Sequence, residues 1–240
     1  MDIALLIDGE ARGATAGATY DRNDPFTGKL ATRAAAATVA DANAAVEAAA
    51  VAFRTWSRSS PAERRGLLLK AADIMDGKAG EFTRLMIEEI GATAPWAGFN
   101  VMLAANMLRE AGAMTTQISG EVIPTNNPGV TLAMGIRQPA GVVLAIAPWN
   151  APVILGTRAV AMPLACGNTV VLKASESCPG VHRLIAQCLN EAGLPKGVVN
   201  VVTNAPKDAP AVVEALIAHP AVRRVNFTGS TAVGRRIGEL

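Results

Sequence analysis

The sequence has few of the residues that bind metals or form disulfides. It holds three cysteines and two histidines among 240 residues. Cys166, Cys178 and Cys188 are odd in number and never spaced as C-x-x-C, which favours free thiols in a reducing cytosol over a disulfide framework or a zinc site. His182 and His219 have no partner at ligand spacing, so we expect both to be structural. No bound metal is expected.

Charge of one sign and long apolar runs are also missing. The 22 lysines and arginines against 20 aspartates and glutamates leave a net charge of +2, and the basic residues are mostly dispersed, so nucleic acid is not an expected partner. No run is long enough to cross a membrane. Asp2 stands where a signal peptide has basic residues, and the first apolar stretch ends at Ile7, which predicts no secretory leader and a cytoplasmic location.

Apolar residues, by contrast, are abundant, and their spacing changes along the chain. Hydrophobic residues make up 50% of the sequence, enough to bury a sizeable core. The first part has mostly helical spacing. Thr38 begins a capping pattern that predicts a helix to about residue 54, and Ser60 begins one that predicts a helix from Pro61 onwards. Further helices are predicted over 78–90 and 96–114, after short N-terminal strands.

A regular alternation of strands and helices begins at residue 142. We predict strand 142–147, helix 151–165, strand 169–173, helix 179–192, strand 198–203, helix 209–218, strand 224–227 and a helix from about 231. Such an alternation is typical of a parallel sheet covered by helices on both faces. The predicted class is therefore α/β, with a Rossmann-like core over 142–240, a helical part over 1–119 and a β-hairpin extension over 120–141. The extension is a candidate oligomerisation element, and its strand 130–138 is expected to turn into strand 142–147.

Polar residues follow the first two strands of this core. Asn150 comes after the first strand, and Lys173 and Glu176 end and follow the second, so the three are expected at one edge of the sheet, where ligands of open α/β sheets bind. The Asn150 amide could stabilise an oxyanion, or it could form a turn or cap a helix. Lys173 and Glu176 are spaced to reach the hydroxyls of a sugar, or they form a solvated surface pair.

A third polar segment, residues 226–234, follows a strand and opens a helix. Free backbone N–H groups and the helix dipole would attract an anion such as phosphate there. The segment lacks the G-x-G-x-x-G spacing, and Arg235 and Arg236 stand where a P-loop has lysine and then serine or threonine, so both common nucleotide motifs fail. A helix cap without a ligand is the alternative interpretation.

The three segments together resemble one known family. PWN at 148–150, GNTVVLKASE at 167–176 and NFTGSTAVG at 226–234 occur in this order after successive strands, and NDPFTG at 23–28 precedes them. In these motifs the chain is similar to the aldehyde dehydrogenase superfamily, and the resemblance covers essentially its whole length. It implies that Asn150 helps to form the oxyanion hole.

The same resemblance implies NAD as the cofactor and assigns residues to it. Lys173 and Glu176 would hold the adenosine ribose, Ser230 would contact the pyrophosphate, and Trp149 would line the cofactor channel. The full set of cofactor-binding residues implied is Ile146, Pro148, Trp149, Lys173, Glu176, Gly229, Ser230 and Val233.

Three departures from the family pattern stand out. The family's catalytic cysteine and general-base glutamate lie after FTGST, so both are expected beyond Leu240, in a catalytic domain absent from this chain. Many members carry a lysine where this chain has Ala159, and the cation here is Arg158. Arg158 is expected to be a buried cation that either lines the aldehyde tunnel and meets an ortho oxygen of an aromatic aldehyde, or pairs with a carboxylate from the absent half and holds the helix in place. The loop 203–210 lacks the usual glycines, so the adenine pocket is expected to differ.

The finer resemblance is to enzymes of aromatic aldehydes. The stretches at 157–176 and 214–231 are most similar to the branch that includes salicylaldehyde, benzaldehyde and vanillin dehydrogenases of bacterial aromatic catabolism. This implies the coenzyme-binding half of an NAD-dependent dehydrogenase, inactive as given and a homo-oligomer at full length, that acts on a small aromatic aldehyde. Two alternatives stay open: an enzyme that passes the acyl group to coenzyme A, or a non-catalytic nucleotide-binding module if Leu240 is the true terminus.

Overall fold

Short apolar runs form the sheets of the computed structural model, which describes residues 1–240. The strands are β1 (Asp2–Ile3), β2 (Leu5–Ile7), β3 (Glu10–Arg12), β4 (Thr19–Asn23), β5 (Leu30–Ala35), β6 (Glu121–Ile123), β7 (Ala133–Gly135), β8 (Val142–Ile146), β9 (Thr169–Lys173), β10 (Val199–Val202) and β11 (Val222–Phe227). The helices are α1 (Val39–Trp56), α2 (Pro61–Gly77), α3 (Ala79–Ile90), α4 (Ala94–Met114), α5 (Pro152–Ala165), α6 (Pro179–Ala192), α7 (Ala209–Ala218) and α8 (Thr231–Glu239). The predicted α/β class is confirmed.

The main sheet has six strands in the order β11-β8-β9-β10-β2-β3. The first four are parallel, whereas β2 and β3 are antiparallel to their neighbours. The chain adds β9 and β10 on one side of β8 and then returns to place β11 on the other side. The strand order therefore reverses at β8, and a crevice forms at such a reversal, outside the carboxyl ends of the strands.

Side chains of the parallel strands alternate between two cores on the two faces of the sheet. In β8, Val143 and Ala145 belong to the core that contains residues of α2 to α6, while Leu144 and Ile146 belong to the core that contains residues of α1 and α7. Because both faces are covered, ligands can approach these strands only at their ends.

Local capping sets the start of the first long helix. The Thr38 hydroxyl accepts a hydrogen bond from the backbone N–H of Asp41, and the Asp41 carboxylate accepts one from the backbone N–H of Thr38 at 2.9 Å. The predicted start of α1 is therefore confirmed as a reciprocal capping box. Ser60 caps α2 in the predicted way by accepting from the Glu63 N–H.

Helix α6 takes its cap from a distant residue. Glu89, near the end of α3, accepts the backbone N–H groups of Gly180 at 2.8 Å and Val181 at 3.1 Å and the hydroxyl of Thr32 at 2.7 Å. Burial raises the pKa of Glu89 to about 7, although these donors act in the opposite direction. This contact anchors the N-terminus of α6 to the N-terminal part of the chain.

The strand predicted over 130–138 is mostly wrong. Only Ala133–Gly135 forms a strand, and it pairs antiparallel with Glu121–Ile123 instead of turning into β8. The reason is that both edges of β8 are already occupied by β9 and β11. The resulting small hairpin lies within 120–141. Its role in oligomerisation and the division of the chain at 119 and 141 stay predictions.

The N-terminal part contains more sheet than its mostly helical pattern predicts. Strands β2 and β3 extend the main sheet beyond β10, and β1, β5 and β4 form a second, three-stranded sheet. None of the helices is both long and apolar enough to span a membrane.

The turn before β10 generates a stability prediction. Gly197 has φ +77°, and a Cβ there would lie 2.8 Å from the carbonyl oxygen of Ala48. Gly197→Ala should therefore lower the free energy of unfolding by about 2–3 kcal/mol in urea titrations, because it adds both backbone strain and a steric clash.

Gly66→Ala is the matched control. Gly66 is exposed in the middle of α2, and a Cβ there would meet nothing within 4 Å. It should raise the free energy of unfolding by about 0.5–1 kcal/mol. Equal effects of the two substitutions would contradict the packing described at Gly197.

Candidate functional site

A cleft opens at the carboxyl edge of the parallel strands, where the strand order reverses. Its volume is about 600 Å³. Seven of the residues predicted to bind the cofactor line it: Ile146, Pro148, Lys173, Glu176, Gly229, Ser230 and Val233. These residues come from three separate segments, and the sheet brings them together. That they bind a cofactor stays a prediction.

Lys173, Glu176 and Asn204 form a polar cluster at the ends of β9 and β10. The Lys173 side chain is only 7% exposed, and its ammonium group contacts Oε1 of Glu176. Nδ2 of Asn204 donates to the same oxygen at 3.0 Å. Burial acts to raise the pKa of Glu176, but the Lys173 charge and the hydrogen bonds outweigh it and hold the pKa below its usual value. The alternative of a solvated surface pair is therefore wrong, and the cleft contains a fixed anionic acceptor.

The N-terminus of α8 lies on the other side of the cleft. The Ser230 hydroxyl accepts the backbone N–H of Val233 at 3.3 Å, so Ser230 is a helix cap. The backbone N–H groups of Gly229 and Thr231 donate to no group in the chain. The cap and the anion site are thus compatible, because the cap uses a side chain and the anion would use free backbone donors and the helix dipole.

Apolar side chains of α7 and α8 form the outer walls of the cleft. Ala209, Pro210 and Val213 belong to α7, and Val233 and Ile237 belong to α8. A slot between two apolar walls suits a flat ring system such as a nucleobase. The glycine-poor loop before α7 therefore does not prevent an apolar slot from forming.

Trp149 and Asn150 lie just outside the cleft lining, on the loop that leaves β8. Both are exposed. The carbonyl oxygen of Asn150 accepts a hydrogen bond from Nε1 of Trp96 at 3.3 Å, whereas its side-chain amide makes no hydrogen bond within the chain. The residue that caps α5 is Ala151, without a side-chain hydrogen bond. The alternative of a helix-capping asparagine is therefore wrong, and the amide is free to donate.

Arg158 does not have the predicted surroundings. It was expected to be buried, but it is exposed on α5. One of its guanidinium nitrogens, Nη2, donates to the hydroxyl of Thr228 at 3.1 Å. Its partner is thus the loop after β11, beside Gly229. Arg158 is not buried because α5 packs its apolar residues against the core and position 158 lies on the opposite, outer face of the helix.

Comparison with known proteins identifies the family. Residues 13–240 match the profile of the aldehyde dehydrogenase family. The chain belongs to the aldehyde dehydrogenase family. Vanillin dehydrogenase from Pseudomonas fluorescens is 63% identical over 240 residues, which cover 100% of this chain and 49% of that protein. The resemblance stated from the sequence motifs is confirmed.

Two solved structures of similar chains support the same assignment. Salicylaldehyde dehydrogenase from Pseudomonas putida G7, complexed with salicylaldehyde, has a TM-score of 0.97 and 48% identity, with 100% of this chain and 49% of that chain covered. PnpE in complex with nicotinamide adenine dinucleotide has a TM-score of 0.93 and 42% identity, with 100% and 48% covered. The chain therefore spans about half the length of the relatives that it matches.

The cysteines lack the surroundings of an aldehyde dehydrogenase nucleophile. Burial raises the pKa of Cys188 to about 12, and it also raises the pKa values of Cys178 and Cys166 above the ordinary thiol value. A nucleophilic cysteine needs an accessible thiol with a lowered pKa. The catalytic thiol expected beyond Leu240 stays a prediction.

Sequence reasoning missed several residues of the site. Asn204 follows a predicted strand, as Glu176 does, so the rule that found Glu176 could have found it. Phe227 and Thr228 line the cleft and lie within the segment that was singled out. Trp96 has no local signal, because it is simply the first residue of a predicted helix and meets Asn150 only through the packing of α4 on α5.

Proposed function

We propose that this chain is the coenzyme-binding half of an NAD-dependent aldehyde dehydrogenase that oxidises aromatic aldehydes to carboxylates. The observation that carries the proposal is the cleft. An anionic acceptor, Glu176, and the free N–H groups at the start of α8 lie on opposite sides of one cavity, and Pro148, two residues before Asn150, lines the same cavity. The Glu176 carboxylate suits the hydroxyl groups of a sugar, the free N–H groups suit a phosphate, and the Asn150 amide suits the oxygen of a reacting carbonyl.

The cleft residues fit a dinucleotide. The Glu176 carboxylate would accept hydrogen bonds from the adenosine ribose, with Lys173 beside it, and the apolar slot of Val213, Val233 and Ile237 would take the adenine ring. The backbone at Gly229 would bind the pyrophosphate. A bound relative, PnpE with nicotinamide adenine dinucleotide, shares this part of the fold.

Asn150 would act on the aldehyde. When a nucleophile adds to the carbonyl carbon, its oxygen becomes negative, and the uncommitted Asn150 amide can donate to that oxygen. The Trp96 hydrogen bond to the Asn150 carbonyl fixes the backbone from which the side-chain amide projects. NAD, when bound, supplies the acceptor for the hydride that leaves the carbon.

An aromatic substrate is supported by the side chains near Asn150. Trp96 and Phe99 of α4 are stacked, with ring centroids 5.6 Å apart, and both are exposed, as is Met102. An exposed row of apolar side chains that begins at Trp96, which contacts the Asn150 loop, favours a flat apolar aldehyde. The similar enzymes from Pseudomonas act, by their names, on vanillin and salicylaldehyde.

The complete protein is proposed to be a cytoplasmic homo-oligomer. The hairpin of β6 and β7 exposes large apolar side chains, namely Val122, Ile123, Leu132, Met134 and Ile136. An exposed apolar surface of this kind is typical of an interface. The remaining partner is the small aldehyde, and no nucleic acid or membrane is involved.

The first prediction concerns the choice of cofactor. Glu176 is negatively charged at neutral pH and would repel a 2′-phosphate, so calorimetric titration of this chain should give a dissociation constant roughly tenfold lower for NAD than for NADP. Glu176→Gln should narrow that ratio. Glu191→Gln, a surface carboxylate paired with Lys78, should leave it unchanged. Tighter binding of NADP than of NAD would contradict the predicted cofactor choice. If the chain binds neither dinucleotide, the proposed coenzyme-binding function is wrong.

The second prediction concerns the oxyanion donor. In the complete enzyme, Asn150→Ala should lower kcat by roughly a hundredfold or more with little change in NAD affinity, as expected when one oxyanion donor is removed. Asn106→Ala, at an exposed position of α4, is the control and should have no effect. A kcat within a few-fold of the wild type would exclude the role of Asn150.

The third prediction concerns substrate choice. The Arg158 cation can hydrogen-bond an oxygen ortho to the aldehyde group, so Arg158→Leu in the complete enzyme should lower kcat/KM about tenfold more for salicylaldehyde than for benzaldehyde. Thr228→Val removes the present partner of Arg158 but keeps the cation, and it should preserve the preference. Equal losses for both aldehydes would mean that Arg158 only holds the loop.

A further inference from the structure

Glu89 is a buried carboxylate beside a helix start that has no cap of its own. It lies in α3 and is 0% exposed. Cys178, which precedes α6, makes no side-chain capping hydrogen bond, and the first turn of α6 has no acidic residue. Glu89 supplies the acceptor from another helix. Its Oε1 accepts the backbone N–H of Gly180 at 2.8 Å, and its Oε2 accepts that of Val181 at 3.1 Å, so neither buried N–H is left without a partner.

The contact between α3 and α6 is close at this point. A Cβ at Gly180 would lie 2.9 Å from Oε1 of Glu89 and 3.0 Å from Cδ2 of Leu85. The hydroxyl of Thr32, in β5, donates to the same Oε1 at 2.7 Å. Nε of Arg22, in β4, donates to the backbone carbonyl of Glu89 at 2.6 Å. The side chain and the backbone of Glu89 are therefore both held in place.

Hydrogen bonds connect the first turn of α6 with residues 174–178, the loop proposed to bind the ribose. The backbone N–H of Ser175 donates to Nδ1 of His182 at 3.0 Å. The backbone N–H of Cys178 donates to the carbonyl oxygen of Ser175 at 3.2 Å. The residue after Ser175 is Glu176, the proposed ribose acceptor. A shift of the start of α6 would therefore move Glu176 as well.

Only the ionised form of Glu89 satisfies all of its donors. Both carboxylate oxygens accept hydrogen bonds, so a proton on either oxygen turns an acceptor into a donor and weakens at least one of the bonds to α6 or to Thr32. Burial raises the pKa of Glu89 to about 7, although the three donors and the Arg22 charge act to lower it. The carboxyl group therefore changes its charge near neutral pH.

The other ionisable groups around Glu89 do not change their charge in this range. They are Tyr20 and Arg22 of β4, Cys178 before α6 and His182 in the first turn of α6. Burial raises the pKa values of Tyr20 and Cys178 and lowers that of His182 to about 4, so all three are uncharged between pH 6 and 8. The Arg22 guanidinium stays charged. Within this cluster, the charge of Glu89 is the one that responds to pH.

We propose that Glu89 is a positioning residue for the cofactor, whose negative charge fixes the start of α6 and, through it, the loop that presents Glu176 to the ribose. The carboxylate supplies from α3 the cap that α6 lacks. This role rests on the proposed binding of NAD in the cleft. Protonation of Glu89 weakens the cap, so the affinity for NAD depends on a residue that does not line the cleft.

The first test is the pH dependence of NAD binding. Calorimetric titration of the wild-type chain should give an NAD dissociation constant about tenfold higher at pH 6 than at pH 8, because a carboxyl group with a pKa of about 7 is mostly protonated at pH 6. Glu89→Gln should bind NAD about tenfold more weakly than the wild type at pH 8 and lose no further affinity at pH 6, because its amide has one acceptor oxygen and no charge.

Glu88→Gln is the matched control on the same helix. Glu88 precedes Glu89 and forms an exposed ion pair with Arg84 at 2.6 Å. This variant should keep the NAD affinity and the pH dependence of the wild type. If Glu89→Gln also keeps both, or loses affinity but keeps the pH dependence, the proposal is wrong.

Stability measurements separate positioning from a merely structural role. The pKa of Glu89 is raised from 4.5 to about 7, so the folded chain binds this proton more tightly than the unfolded chain does. The free energy of unfolding of the wild type relative to Glu89→Gln should therefore rise as the pH falls from about 7 to about 5, while the NAD affinity of the wild type falls. A parallel fall of both quantities would contradict the proposal.

Thr32→Val covers the case in which Glu89→Gln does not fold. It leaves the carboxylate in place and removes one donor, whose hydrogen bond lowers the pKa of Glu89. The midpoint of the pH dependence of NAD binding should move to higher pH by roughly 0.5. A midpoint that stays in place or moves to lower pH would overturn the proposal. If the wild-type chain binds no NAD at pH 8, the proposed function itself has failed.

Discussion

The reversal of strand order at β8 is the constraint on which the rest of the structure depends. Because β9 and β10 lie on one side of β8 and β11 on the other, the loops that leave β8 and β11 diverge above the sheet. The diverging loops leave a cleft with walls from α7 and α8. Burial of both sheet faces keeps ligands away from every other part of the strands.

The polar residues of the site gain their properties from this position. Lys173 ends a strand that is buried along its whole length, so its ammonium group contacts Glu176 and is not surrounded by water. The resulting low pKa of Glu176 keeps the carboxylate charged in an enclosed setting. Asn150, in contrast, leaves the sheet on an exposed loop, where its amide has no partner within the chain.

The loops at this edge are held by contacts from distant parts of the chain. Trp96 of α4 fixes the backbone at Asn150, and Glu89 of α3 anchors the start of α6. In the loop after β9, the backbone N–H of Ser175 donates to Nδ1 of the buried His182. The N-terminal helices are therefore part of the support of the site, although none of them supplies the predicted cofactor residues.

The sequence by itself determined the class of fold, the order of strands and helices after residue 142, and the family. Three kinds of local signal can be recognised in the sequence alone. They are the apolar spacing, the caps at Thr38 and Ser60, and the motifs around Asn150, Lys173 and Ser230. Only the tertiary structure decided which strands pair, why 130–138 cannot join β8, that Arg158 is exposed and hydrogen-bonded to Thr228, and that Trp96 and Asn204 contact residues of the site. These features depend on contacts between residues far apart in the chain, and such contacts leave no periodic trace in the sequence.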